Sequence, residues 1–153
     1  MSTHSAPDRR VVVAVGTSAA GAEALRWAAA EAKRRGTVLS AVYVVERGRW
    51  PVHEERRAAL ETARQQVPDR VARALGWAHD DLHVAVRVVC GPLVDSLAQQ
   101  ARGACLLVVG RPSAAVHRNL PGRLVDRSAC PVVVVDESGE AVRARTPARA
   151  RPA

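Results

Sequence analysis

Phenylalanine is missing from this chain, and aromatic residues make up only 3% of its 153 positions. A core without ring systems has to be filled by Val, Leu and Ala, which favours thin layers packed closely together. Cysteine is scarce as well: Cys90, Cys105 and Cys130 are odd in number, far apart and outside any Cys-x-x-Cys or Cys/His spacing. That pattern speaks against a disulfide framework or a zinc-type ligand set, and it reads as small buried thiols in a reducing compartment. No basic residue stands immediately beside Cys90 to activate it as a thiolate.

Long apolar runs are also absent. None approaches the roughly 18 residues that span a bilayer, and Met1 to Asp8 lack the apolar segment of a secretory leader. The expectation is a soluble, cytoplasmic protein with no membrane partner. Neither a Gly-Lys-Ser/Thr phosphate loop nor a His-x-Gly-His pattern occurs, and no Ser/His/Asp set or convergent pair of carboxylates can be placed on one site. These absences point away from an enzyme. His79 and His83, with Asp80 and Asp81 between them, look superficially like metal ligands, but they fall in a polar turn rather than on one helix face. No metal is expected.

What the chain does carry is charge, with 25% charged residues and a formal net charge of +8. Lys33 is its sole lysine, and from Glu140 onward Arg143, Arg145, Arg149 and Arg151 stand against one glutamate, three of the eight net positive charges. Much of the basic character thus lies in a tail. A high pI alone does not imply a nucleic-acid partner, and weak, non-specific contact by the tail is the most it supports. With 48% hydrophobic residues, one domain with a real core is expected over residues 10–136. It lies between a disordered N-terminus, 1–9, and a disordered Arg/Ala/Pro-rich tail, 137–153.

Within the domain, apolar runs alternate with helical periods. Val11 to Val15 is apolar on both faces, as a central parallel strand covered on each side would be. From Ala19 to Arg35, Ala22, Leu25, Ala28, Ala29 and Ala32 share one helix face, and Gly36 ends the helix. The pattern repeats with a strand from Leu39 to Val45 and a helix from about His53 to Leu75, which Pro68 should kink or split. His83 to Val89 alternates with charge in the manner of an edge strand. Gly91-Pro92 opens a helix to about Arg102, with Pro92 suited to the first turn and Leu93, Leu97 and Ala101 facing inward. Cys105 to Val109 is the fourth strand; a short helix from about Gly122 to Ser128 and a fifth strand, Val132 to Val135, complete the set. This predicts an α/β fold: a single open, mostly parallel five-stranded sheet with helices on both faces.

The ordered set of pieces resembles the universal stress protein family over residues 10–136. It is carried by the first strand with its terminal Ser18, by Ala24-Leu25-Arg26-Trp27-Ala28, by Gly91-Pro92, by Leu106-Leu107-Val108-Val109-Gly110 and by Cys130-Pro131-Val132-Val133-Val134-Val135. The resemblance implies the Rossmann-like strand order 3-2-1-4-5 and a ligand crevice where the winding reverses, between strands one and four. It places Gly16, Thr17, Ser18 and Val42 on one side of that crevice, opposite Gly110, Arg111, Ser113, Gly122 and Arg123. Members that bind ATP carry an acid at the end of strand one. They also carry a loop of Gly, two residues, Gly, nine residues, then Gly-Ser or Gly-Thr, whose backbone amides turn toward the phosphates.

This chain departs from that pattern. Gly16 stands where the acid belongs, Pro112 and Pro121 bring no N–H, and Ser113 replaces the second glycine. Eight residues rather than nine lead to Gly122, and Arg123 replaces the hydroxyl residue. The implied reading is a regulatory or binding module with a degenerate nucleotide site that holds no ATP and no other cofactor. The alternative is a small-ligand sensor, in which Arg111, His117, Arg118 and Arg123 attract a nucleotide or another anion by charge. Ser18 and Thr17 read first as caps of the helix that follows. The fifth strand, short, uncharged and at an edge, is expected to pair with its symmetry mate through Val132, Val133, Val134 and Val135 in a homodimer.

Overall fold

The computed structural model describes residues 9–16, 18–112 and 117–144. Its first strand, β1 (Val11–Ala14), is followed by α1 (Ala19–Arg35), β2 (Leu39–Glu46), α2 (His53–Leu75), β3 (Val84–Gly91), α3 (Leu93–Gln100), β4 (Leu106–Gly110), α4 (Leu120–Arg127), β5 (Val132–Val135) and β6 (Ala141–Arg143). The sheet order is β3-β2-β1-β4-β5-β6, parallel throughout except for the antiparallel β5–β6 pair. Val11, Val12 and Val13 lose all solvent contact because both faces of the sheet are covered. Their alternation divides the core: Val11 and Val13 pack with α1 and α2, and Val12 packs with α3 and α4.

Each layer follows from its sequence. The Ala24, Ala28, Ala29 and Ala32 face of α1 is fully buried, and its short side chains let the helix lie close to the strands. Gly36 ends α1 in the left-handed conformation, φ 66° and ψ 38°, with its N–H returned to the carbonyls of Ala32 and Lys33. At the same end Glu31 is buried and accepts hydrogen bonds from Arg34 and from Arg35, the latter at 2.5 Å. α2 runs unbroken through Pro68, so the proline does not split the helix. Pro68 lies on the exposed side of the helix, so the carbonyl it leaves unpaired one turn earlier is open to solvent rather than stranded in the core. Pro92 is the N-cap of α3 rather than part of its first turn, and Val94, with Leu97 and Ala101, takes the buried place expected of Leu93.

Two expectations at the other edge are corrected. The sheet has six strands, not five, because Ala141–Arg143 lies within the stretch expected to be a disordered tail from 137 onward. Asp136 Oδ1 accepts N–H bonds from Ser138 and Glu140, both at 2.9 Å, and the chain turns back. Val133, Val134 and Val135 then pair with Arg143, Val142 and Ala141, so β5 is not an edge, and pairing of Val132–Val135 with a symmetry mate is blocked by the chain's own β6. The expected disordered ends otherwise fall at 1–8 and 145–153, outside the described residues. Cys90, Cys105 and Cys130 are free and half-buried rather than fully enclosed, and burial pushes the Cys130 thiol up from its ordinary pKa.

Candidate functional site

The chain adds strands outward from β1 through β2 to β3, then returns to add β4 and β5 on the other side. At that reversal the carboxyl ends of β1 and β4 part, and a crevice forms there as doubly wound sheets require. Here it is a cavity of about 290 Å³. Gly16, Ser18, Val42, Gly110 and Arg111 line it, as the sequence placed them. Gly122 and Arg123 do not line it; both are exposed on α4. Thr17 and Ser113 lie outside the described residues.

Two of the lining residues have structural work. The Ser18 side chain accepts the N–H of Gly21 at 3.1 Å and so caps α1, a bond that contributes about 1 kcal/mol. Gly110 sits against the first turn of α1: a Cβ there would stand 2.8 Å from the backbone of Ala20 and Gly21. The bare Cα at 110 is therefore consumed by helix–sheet packing. The Arg111 N–H continues the sheet ladder, donating to the Val135 carbonyl at 2.8 Å. Pro112 lines the crevice without an N–H, and Pro121 occupies the first turn of α4, where a free amide would otherwise point outward.

Side chains the sequence reading passed over also reach the crevice. Glu46 ends β2, and its Oε2 lies 3.4 Å from Nε2 of His117, which stands in the turn just before α4. Arg49 follows in the turn after β2, and Leu93, Leu97 and Leu120 make the apolar wall with Val44 and Val109. The crevice mouth thus holds one carboxylate, Glu46, against Arg49, Arg111 and His117 among the described residues. Arg118, grouped with these by sequence, lines not the crevice but an adjoining groove with Pro121 and Val142, which shares Arg111 and Pro112 with it. The missed residues had one signal: strand two lies beside strand one in the implied order, so its carboxyl end had to reach the same crevice.

The polar turn before β3 forms no ligand set. Asp81 pairs with Lys33 Nζ at 3.3 Å, and no group of three His, Cys, Asp or Glu side chains suited to a metal occurs among the described residues. No helix of the described chain is long and apolar enough to cross a membrane.

Comparison with known proteins agrees with this architecture. Two proteins of Mycobacterium tuberculosis, universal stress protein Rv3134c of strain H37Rv and universal stress protein MT3220 of strain CDC 1551, are each 31% identical over 142 residues, 86% of this chain. That span is 50% of their length, so the chain covers about half of the curated relatives it matches. Among solved structures, a universal stress protein in complex with cAMP superposes with a TM-score of 0.61 at 24% identity, covering 86% of this chain and 99% of its own. The universal stress protein from Archaeoglobus fulgidus in complex with dAMP gives 0.59 at 24%, covering 84% and 98%. At these identities the likeness is one of fold. The sequence profile of the universal stress protein family matches residues 8–136, and the chain belongs to that family.

Proposed function

We propose that this chain is a non-enzymatic regulatory binding module whose nucleotide site has lost its triphosphate cradle, so that ATP is not its ligand and no cofactor is resident. The observation that carries this is the fate of the loop amides. Arg111 gives its N–H to Val135, Pro112 and Pro121 have none, and Gly110 is spent on α1. A charged phosphate is held mainly by such donors, each contributing on the order of 1–3 kcal/mol. Thermal shift of nucleotide-free protein against ATP, AMP, cyclic nucleotides and phosphate tests it, since a ligand bound only to the native state raises its melting temperature. A millimolar shift with ATP no larger than with phosphate supports the reading.

One observation favours the sensor reading for a smaller anion. The crevice remains open and apolar, and Arg49 and Arg111 outnumber Glu46 at its mouth. The relatives crystallised with cAMP and dAMP hold ligands with a single phosphate, and one phosphate needs fewer donors than three. A shift with a monophosphate alone selects this reading. The chain is further proposed to be cytoplasmic and to associate with a second copy along the sheet edge. That edge is β6, where Val142 is 66% exposed, rather than β5.

A further inference from the structure

Strand β2 separates two cavities. Val42, Val44 and Glu46 line the crevice alone and Val45 the α2 side alone, while Tyr43 borders both and packs with the α2 core. On that second face α2 stands off the sheet: its buried residues are Ala63, Val67, Val71 and Leu75, and none of its residues from His53 to Thr62 is buried. The gap is a groove of about 390 Å³, walled by Tyr43, Trp50, Ala59, Ala63, Val67 and Arg70. It exists because the helix offers alanines where larger side chains would fill it.

We infer that this groove is a second binding site, for a small aromatic carboxylate, independent of the crevice. The chain has only four aromatic side chains, three Trp and one Tyr, and two of them, Tyr43 and Trp50, are spent here. Each has an arginine beside it. Arg70 stacks over Tyr43 with its guanidinium carbon 5.8 Å from the ring centroid. Arg56 fixes the backbone around Trp50, donating to the carbonyls of Trp50 and Pro51 at 3.0 Å each. The polar anchor is Arg70 itself, whose Nη1 is buried without a hydrogen-bond partner. A buried donor left unpaired is costly, and a carboxylate is the acceptor that a guanidinium pairs with best. The volume lies in the range of small-molecule sites, and an apolar wall with one charged anchor is their usual composition. Glu55 is the one acid among the lining residues, so a dianionic or phosphorylated ligand is disfavoured relative to a monocarboxylate.

The full chain titrated with 2-naphthoate, followed by two-dimensional NMR of backbone and indole N–H groups, tests this, with 2-naphthalenemethanol as the neutral isostere. Saturable shifts of the Trp50 indole at submillimolar naphthoate are expected, with the alcohol binding roughly tenfold or more weakly. Arg70→Gln should abolish the preference for the acid, Arg70→Lys should retain part of it, and Ala59→Leu should fill the groove and remove binding of both. Should Arg70→Gln fail to fold, Ala59→Leu carries the test alone, since residue 59 is only partly buried. No saturable shift, equal binding of acid and alcohol, or shifts confined to Glu46 and His117 would overturn the assignment. So would a fall in sedimentation coefficient on Arg70→Gln, which would make the occupant a second copy of the chain.

Discussion

Gly110→Ala should destabilise the ligand-free protein, because the glycine serves packing rather than phosphate. The added Cβ meets the Ala20 carbon, the Ala20 oxygen and the Gly21 nitrogen, each at 2.8 Å. Ordinary carbon contacts lie near 3.5–4.0 Å, so α1 must retreat by most of an ångström. The obstacles are backbone atoms, so no rotamer change relieves the overlap. Gly110 does not have a positive φ, and the whole cost arises from contact. Overpacking of this kind costs about 1–3 kcal/mol, and a backbone obstacle puts it at the upper end. For a domain of this size each kcal/mol lowers Tm by roughly 2–4 °C, so a fall of about 6–12 °C is expected by calorimetry without ligand. Gly122→Ala is the control. Nothing lies within 4 Å of a Cβ there, and alanine in a helix should leave Tm unchanged or raise it by a few degrees. A Gly110→Ala protein melting within about 2 °C of the parent would refute the packing role.

Other outcomes follow from the same contacts. Burial raises the Glu31 carboxyl, but hydrogen bonds from Arg35 and Arg34 outweigh it and hold the group below its ordinary 4.5. A carboxylate depressed on folding adds stability that is present above about pH 4.5 and lost as pH falls through the folded value; in urea titrations across that window, Glu31→Gln should flatten the loss. Truncation after Glu137 removes β6, and it should lower Tm and increase self-association through the bared β5, whereas truncation after Ala144 should do neither. Equal melting of the two truncations would show that β6 adds nothing. Light scattering at tens of micromolar should report a dimer that Val142→Lys weakens, and a monomer would remove the edge-association proposal.

Elements whose burial is written in their own residues were legible. α1 runs from Ala19 to Arg35 as its alanine face and Gly36 predicted, and Val132–Val135 is a strand as its unbroken valines required. β6 was not, because Ala141-Val142-Arg143 has no period of its own and becomes a strand only by completing the edge of β5. That Pro68 leaves α2 unsplit was hidden for a related reason: its effect depends on whether the lost hydrogen bond faces water, and sequence does not say. In the crevice, residues next to the strand ends of β1 and β4 were found. Glu46, Arg49 and the leucines of α3 and α4 were not, since they arrive from three separate parts of the chain that only the fold brings together. The span of α2 was visible, but its lift from the sheet follows from how alanine and valine meet Tyr43 and Val45.

Whether the triphosphate cradle is gone is decided by calorimetric titration of nucleotide-free protein with ATP and magnesium. Losing two amide donors at about 1–3 kcal/mol each weakens binding by roughly thirtyfold to more than ten-thousandfold, so no saturation is expected below millimolar ATP. The triple change Gly16→Asp, Pro112→Ala and Pro121→Ala, which returns an acid and the two missing amides, should recover binding. Residue 16 has room for it, since a Cβ there meets only the Gly21 Cα at 3.9 Å. Saturable binding of ATP to the unaltered chain at low micromolar concentration would contradict the account.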